Sequence, residues 1–206
     1  MAKIHNDKYY TPDSVVQKVV EVLEKDVMHI KEFSRIIEPS AGAGAFLKRL
    51  PKSAIGYDIE PQGENIIKGD YLKQNIPYLK NSLVIGNPPF GSGGNLHTEF
   101  IKKSMQHSDY VAFILPGDMY KKDKLGNIEL YKSYMLPAVK YSGVKLKCCF
   151  NIYRKRKRKL KEKNIKDFSL EAKKIISAVG RTKESLGIST LANMLMGKAD
   201  TKMLNK

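Results

Sequence analysis

Short apolar runs alternate with amphipathic or polar stretches through the first 150 residues, and this alternation constrains the fold more than any other feature. Strand-like runs separated by helical spacing are typical of a parallel sheet with crossover helices. Helices are predicted after Pro12 and over residues 45–50, the second ended by Pro51. The strand-like runs are residues 35–38, 54–58, 65–68, 82–86 and 110–115. The predicted fold class is therefore α/β.

The segment after the fifth strand-like run carries weaker patterns. Apolar residues in 128–135 recur at helical spacing and predict a helical turn. Two later apolar runs, 141–146 and 148–153, are expected to pair as a hairpin at the sheet edge. This segment is therefore assigned to the same domain as the five earlier runs.

Charge is unevenly distributed along the chain. The formal net charge is +16, and residues 151–206 contain 16 Lys and Arg against 5 Asp and Glu. A basic run lies at 154–159, and we place a domain boundary there, between residues 1–153 and a basic helical extension, residues 154–206. Such a balance predicts a polyanionic partner, bound through counterion release at phosphates. A solvated, solubilising tail is the alternative.

Other features of the sequence exclude several classes of protein. No apolar run approaches the ~18 residues that cross a bilayer, and the polar start at residues 1–10 is not typical of a signal peptide. We therefore expect a cytoplasmic protein that binds no membrane. Cys148 and Cys149 are adjacent, which disfavours a disulfide between them, and the four histidines lack the spacing of metal ligands. No metal site is predicted.

Acidic and amide side chains stand at four strand ends, Glu38, Asp58, Asp70 and Asn87. Ligands of open parallel sheets bind at the carboxyl ends of the strands, so one ligand would contact all four residues. The carboxylate of Glu38 suits a ligand ammonium, that of Asp58 suits ribose hydroxyls, and that of Asp70 suits the exocyclic amine of an adenine. S-adenosylmethionine has all three groups and needs neither a phosphate-binding lysine nor magnesium.

A glycine-containing turn, Pro39-Ser40-Ala41-Gly42-Ala43-Gly44, follows the first strand-like run. Gly42 and Gly44 lack a Cβ and allow the backbone to approach a ligand closely. The turn lacks the third glycine of the dinucleotide-binding fingerprint. Because Glu38 precedes it, the turn indicates a binding site rather than a purely structural bend.

The most specific motif is the loop Asn87-Pro88-Pro89-Phe90. Its prolines fix φ and remove two N–H donors, so the loop presents carbonyls from a rigid frame. The Asn87 side-chain oxygen and the Pro88 carbonyl would hold the hydrogens of an aromatic amine out of the ring plane, which localises its lone pair for attack on a methyl sulfonium. Phe90 would stack on a base that has left the helix. An ordinary surface turn with a packed phenylalanine is the alternative.

In their order along the chain, these motifs resemble the N6-adenine DNA methyltransferases of the gamma class, the modification enzymes of restriction systems. The resemblance covers residues 9–153 and is carried by Tyr9-Tyr10-Thr11-Pro12, Glu38-Pro39-Ser40-Ala41-Gly42-Ala43-Gly44, Tyr57-Asp58-Ile59-Glu60-Pro61, Gly69-Asp70-Tyr71 and Ile85-Gly86-Asn87-Pro88-Pro89-Phe90. It implies a Rossmann-like, S-adenosylmethionine-dependent methyltransferase fold with a mostly parallel seven-stranded sheet. The implied reaction is methyl transfer to the N6 amine of adenine in DNA.

The resemblance also implies roles for individual residues. The implied cofactor-binding residues are Tyr10, Thr11, Glu38, Pro39, Ser40, Gly42, Gly44, Asp58, Asp70 and Tyr71, and the implied catalytic loop is Asn87, Pro88, Pro89 and Phe90. Phe90 and Phe150 would stack on the two faces of the target base. Phe100 would pack beside the adenine of the cofactor.

Departures from the family leave the substrate and partners open. Gamma-class members usually carry a large target-recognition domain after the catalytic part, and none is expected here, so a separate recognition or nuclease subunit is a candidate partner. Residues 171–204 loosely resemble the opening helices of the winged-helix domain of RecQ-type helicases. Structured RNA is the alternative substrate, although the segments at Thr11-Pro12 and Glu38-Pro39-Ser40 favour DNA. A nucleic-acid-binding module that has lost catalysis is the other alternative, since fold alone does not give function.

Overall fold

The computed structural model describes residues 10–91, 95–123, 125–141 and 144–156. These residues belong to one compact unit, Met1–Arg156. Nearly all of the basic helical extension predicted for residues 154–206 lies outside the described residues. The stretch that resembles a winged-helix domain, residues 171–204, also lies outside them.

Two helices and nine strands make up the described part of the chain. In chain order they are α1 (Asp13–Asp26), β1 (Arg35–Glu38), β2 (Ile55–Asp58), β3 (Ile66–Lys68), β4 (Ser82–Gly86), α2 (Leu96–His107), β5 (Tyr110–Pro116), β6 (Ile128–Met135), β7 (Val139–Tyr141), β8 (Val144–Leu146) and β9 (Cys148–Lys155). Short 3-10 turns lie at Ile30–Glu32, Leu47–Arg49, Tyr71–Lys73 and Gly117–Met119.

The central sheet has seven strands in the order β3-β2-β1-β4-β5-β9-β6. All pairings among strands β1 to β5 are parallel, whereas β9 is antiparallel to both β5 and β6. The strand order reverses direction between β1 and β4. Open sheets of this kind bind ligands at such a switch point, outside the carboxyl ends of the strands. The prediction of a mostly parallel seven-stranded sheet is confirmed.

Helices cover both faces of the sheet. Helix α1 begins after Pro12, whose fixed φ suits a helix start, and buries an apolar stripe that includes Leu23 on one face. Helix α2 packs Phe100 on the other face. Successive strand residues point to opposite faces, so Leu83 joins the core under α1 and Val84 joins the core under α2. With both faces covered, the central strands read as continuous apolar runs.

The helical turn predicted for residues 128–135 is wrong, because these residues form β6 along β9. A register irregularity lies between Leu130 and Lys132. One extra residue at such a bulge shifts the two-residue alternation of a strand. Apolar residues then recur at Ile128, Leu130, Tyr131 and Tyr134 and imitate helical spacing.

Two other local predictions are corrected by the structure. Residues 45–50 contain a single 3-10 turn rather than a helix, because six residues before Pro51 are too few to propagate a helix. The expected hairpin of 141–146 with 148–153 does not form. Instead, β7 and β8 make a separate two-stranded sheet, and β9 inserts between β5 and β6.

Candidate functional site

A cavity of about 390 Å³ opens at the carboxyl ends of β1, β2 and β4. Of the residues singled out in the sequence, it is lined by Tyr10, Thr11, Glu38, Pro39, Ser40, Gly42, Asp58, Asp70, Tyr71, Asn87, Pro89 and Phe100. Four others, Gly44, Pro88, Phe90 and Phe150, do not line it. The parallel strand order explains the grouping, because it brings the ends of neighbouring strands to one edge of the sheet.

Backbone hydrogen bonds hold the turn after β1. Gly42 has φ +53° and Gly44 has φ +78°, both in the left-handed region that side chains disfavour. The Ala41 N–H donates to the Tyr57 carbonyl at 2.8 Å, and the Gln62 N–H donates to the Gly42 carbonyl at 2.9 Å. The backbone of the turn therefore requires the two glycines, and Gly42 also leaves one wall of the cavity without a side chain.

Glu38 is a buried acid at the end of β1. The residue is 2% exposed, and its Oε2 accepts the Leu47 N–H at 3.2 Å. Burial raises the pKa of Glu38 well above its usual range, and the neighbouring Asp58 carboxylate raises it too. No basic group within the described ranges pairs with it. A carboxylate in this environment favours a cationic ligand group, because a nearby positive charge stabilises its ionised form.

Asp58 presents a fixed carboxylate at the end of β2. Its Oδ2 accepts the Gly42 N–H at 2.7 Å, and its Oδ1 accepts the Glu60 N–H at 2.8 Å. An ionised carboxylate has about four acceptor positions, so each oxygen retains capacity for a ligand donor. A pair of adjacent hydroxyls is the ligand group that suits this geometry.

Asp70 stands at the start of the 3-10 turn Tyr71–Lys73. Its Oδ1 accepts the Leu72 N–H at 3.0 Å, and its Oδ2 lies 3.5 Å from Lys73 Nζ. The preceding Gly69 N–H donates to the Asp58 carbonyl at 2.8 Å, which ties the ends of β2 and β3 together. The carboxylate of Asp70 is therefore held beside the aromatic wall that Tyr71 forms.

Tyr71 borders the cavity but is only 1% exposed. The ring stacks on Phe100 with 5.7 Å between centroids. The hydroxyl bonds to His107 Nε2 at 2.7 Å and to Ser104 Oγ at 2.8 Å. Burial lowers the pKa of His107 to about 4, so its imidazole is neutral near pH 7. The protein itself satisfies the hydroxyl, and the ring, stacked on Phe100, is a buried support of the cavity wall.

The loop after β4 is tied to two other segments. Asn87 Nδ2 donates to Thr11 Oγ1 at 3.1 Å, and Ser40 Oγ donates to the Asn87 carbonyl at 3.2 Å. Tyr10, the neighbour of Thr11, donates its hydroxyl to the Gln62 side chain. The segment before α1 therefore connects the Asn87 loop to the turn after β2, and the bond to Thr11 orients the Asn87 amide.

Phe90 packs beside His97, a residue of α2. The two rings meet edge to face with 6.5 Å between centroids. His97 is 4% exposed, and burial lowers its pKa, while a hydrogen bond to the Phe90 backbone acts in the opposite direction. His97 therefore fixes the end of the loop on α2. This role could not be predicted from the sequence, because a lone histidine seven positions after Phe90 forms no recognisable pattern.

Phe150 lies away from the cavity, and its predicted role as a second base-stacking surface is corrected. The residue is in β9, is 0% exposed and packs in the core beneath α1. A ring with no exposed face cannot stack on a base. The resemblance implied this role without fixing the place of the strand, and β9 lies inside the sheet between β5 and β6.

Metal clusters and membrane-spanning helices are both absent from the part of the chain that the structure describes. No group of three or more His, Cys, Asp or Glu side chains is arranged there to hold a metal ion. None of its helices combines the length and the apolar composition needed to span a bilayer. Cys148 and Cys149 are buried free thiols.

Solved structures with a similar fold include several methyltransferases. A protein from Pyrococcus horikoshii, described as a candidate RNA methyltransferase, is 18% identical with a TM-score of 0.57, over 75% of this chain and 91% of that chain. The 23S rRNA methyltransferase ErmE is 11% identical with a TM-score of 0.52, over 72% and 70% of the two chains. The methyltransferase subunit of a type I restriction-modification system from Streptococcus thermophilus is 14% identical with a TM-score of 0.55, over 76% of this chain and 46% of that one.

The chain has a methyltransferase fold. At these identities the likeness establishes the architecture and leaves the reaction to be argued from the site. The family model described as the RQC domain matches residues 162–206, which lie outside the described residues. No curated protein sequence matches the chain.

Proposed function

We propose that this chain is an S-adenosylmethionine-dependent methyltransferase that acts on the N6 amine of adenine in nucleic acid, with DNA as the favoured substrate. The observation that carries the proposal is the position of the Asn87-Pro88-Pro89-Phe90 loop. Asn87 and Pro89 line the same cavity as Glu38 and Asp58. A loop suited to activating an aromatic amine therefore lies beside acids suited to binding a methyl-donating cofactor, in a domain with a methyltransferase fold.

The chemistry of the cavity fits the parts of S-adenosylmethionine. Glu38, buried and without a basic partner among the described residues, would pair with the ammonium group, and Asp58 would accept the two ribose hydroxyls. Asp70 would accept the adenine amine, beside the part of the cavity wall that Tyr71 and Phe100 support. A volume of about 390 Å³ agrees with the range of small-molecule sites. When bound, the cofactor supplies an electrophilic methyl group.

Asn87 and Pro88 would activate the target amine. The lone pair of an amine on an aromatic ring is delocalised into the ring, which makes the nitrogen a poor nucleophile. Hydrogen bonds from the amine to Asn87 Oδ1 and to the Pro88 carbonyl would move its hydrogens out of the ring plane. Because Asn87 Nδ2 already donates to Thr11, the amide is oriented before substrate arrives, and catalysis needs little reorganisation.

Phe90 and His97 would position the target base. Phe90 is half-buried, so part of its ring is accessible to a base extruded from the helix. His97 packs on Phe90 and would hold it at a fixed distance from Asn87. Phe150 has no part in this arrangement.

Charge and family resemblance support the choice of nucleic acid. A net charge of +16 favours a polyanionic substrate. The preference for DNA rests on the resemblance of the segments at Thr11-Pro12 and Glu38-Pro39-Ser40 to the gamma class. A separate recognition or nuclease subunit is the proposed protein partner, and the cytoplasm is the proposed location.

Two measurements in sequence test the proposal. Calorimetry should detect binding of S-adenosylmethionine, and tritiated methyl groups should then be transferred to duplex DNA in preference to a structured RNA tested in parallel. Transfer to RNA alone would keep the chemistry and change the substrate. Cofactor binding without transfer to either nucleic acid would contradict the proposal and indicate a module that has lost catalysis.

A further inference from the structure

A two-stranded ribbon, β7 with β8, leaves the sheet beside the cavity. It connects β6 to β9, and its strands pair with each other rather than with the central sheet. Strand β6 runs in the same direction as β5, so the ribbon begins at the edge where the cavity opens. Only β5 separates β4 from β9, so the base of the ribbon and the Asn87 loop are about 10 Å apart across the strands, at ~4.8 Å per strand step.

The ribbon segment is basic. Residues 136–150 contain Lys140, Lys145 and Lys147 and no Asp or Glu. Lys140 and Lys145 are direct register partners in this ribbon. A short segment with three lysines and no acid favours an anionic partner.

The base of the ribbon is fixed to the sheet. The Gly117 N–H donates to the Lys147 carbonyl at 2.8 Å, and the Leu136 N–H donates to the Cys148 carbonyl at 3.0 Å. A Cβ on Gly117 would lie 3.0 Å from the Lys147 oxygen, so the close contact favours glycine. Lys147 is exposed at this base, and Lys121 is exposed in the loop that follows Gly117.

We propose that the β7–β8 ribbon, with the exposed lysines at its base, holds the phosphate backbone of the nucleic-acid substrate beside the cavity. The identity of the partner rests on the proposed function. Lysine contacts to phosphate position a protein on nucleic acid without reading bases, so the ribbon supplies affinity and register rather than sequence choice. The described domain then has its own nucleic-acid contact, separate from the basic run at residues 154–159.

The test compares the full-length parent with the double variant Lys140→Gln, Lys145→Gln. The matched control is Lys31→Gln, Lys80→Gln, because both residues are exposed and precede β1 and β4, at the opposite edge of the sheet. Binding to a short duplex DNA is measured from about 50 to 200 mM salt. Removal of two lysine–phosphate pairs should reduce the steepness of log K against log salt by about 1.8, whereas the control should keep the parental slope.

Two further variants separate charge from folding. Lys140→Arg with Lys145→Arg keeps both charges and should retain the parental slope. If the double Gln variant melts below the parent, Lys147→Gln at the anchored base replaces it, with an expected slope change of about 0.9.

The outcomes distinguish this proposal from the proposed function. A parental slope in the ribbon variants, with DNA still methylated, overturns the ribbon proposal alone. A reduced slope in a protein that binds nucleic acid but transfers no methyl group supports the ribbon and contradicts the proposed function. A parent that binds neither DNA nor RNA overturns both.

Discussion

Replacing Asp58 with alanine should weaken the binding of S-adenosylmethionine by about 10²- to 10⁴-fold. In the proposed complex two ribose hydroxyls donate to this carboxylate, and each hydrogen bond to an ionised group is worth about 1.5 to 3 kcal/mol. Two such bonds are worth about 3 to 6 kcal/mol in total. Because each tenfold change in affinity corresponds to about 1.4 kcal/mol, their loss weakens binding by about 10²- to 10⁴-fold. The change also removes the acceptor of the Gly42 and Glu60 N–H groups. Water can replace the acceptor at exposed Glu60 but less readily at half-buried Gly42, so stability should fall by about 1 to 2 kcal/mol.

Asp109→Ala is the matched control for this prediction. Asp109 also accepts two hydrogen bonds, from the Tyr78 hydroxyl and the Asn81 N–H, each at 2.7 Å, but it precedes β5 at the opposite edge of the sheet. Calorimetric titration with S-adenosylmethionine and thermal melting should be run on both variants. Asp58→Ala should lose affinity and melt at a lower temperature, whereas Asp109→Ala should show only the lower melting temperature. An unchanged Kd in Asp58→Ala would refute the ribose contact and move the cofactor to another site.

The other parts of the site give distinct expected outcomes. Asn87→Ala should lower kcat by about 10²-fold or more with little change in cofactor Kd, because the amide would contact the target amine; parental turnover in a steady-state assay would rule out that role. Burial raises the pKa of Glu38, so cofactor affinity should increase as pH rises through that raised pKa, with a proton released on binding below it. Over the same interval the free protein should lose stability, since the unfolded state binds fewer protons there than the folded state. Calorimetry in two buffers of different ionisation enthalpy measures the proton, and Glu38→Gln should release none; equal release by the parent and Glu38→Gln would assign the proton elsewhere. A truncation after Arg156 keeps the hydrogen bonds of Arg156 to Asp123 and Asn127. It should reduce the steepness of log K against log salt by about 0.9 for each phosphate of duplex DNA that the removed residues neutralise. The kcat at saturating substrate should be retained. An unaltered salt slope in that truncation would assign phosphate binding to residues 1–156.

The fold and most of the cavity could be predicted from the sequence because they depend on local patterns. Apolar runs of four to six residues mark buried strands, and the residues that end them lie at one edge of a parallel sheet by topology alone. Glu38, Asp58, Asp70 and Asn87 were found in this way, and the structure brings all four to one cavity.

What the sequence did not predict depends on contacts between distant residues. The bulge at Tyr131 hides the alternation of β6, and the place of β9 between β5 and β6 buries Phe150. His97 and His107 support Phe90 and Tyr71 from α2, and no spacing in the sequence indicates those pairings. Local patterns specify elements and strand ends, whereas sheet order and tertiary packing decide which side chains around them become accessible.

Analysis of the methylated nucleoside tests the central claim most directly. Duplex DNA incubated with the full-length protein and S-adenosylmethionine would be digested to nucleosides and examined by mass spectrometry, with a structured RNA treated in parallel. The proposed function predicts N6-methyladenine in the DNA treated with the parent and its loss in DNA treated with Asn87→Ala. A methyl group on cytosine, or no methylated nucleoside in either nucleic acid from a protein that binds the cofactor, would contradict it.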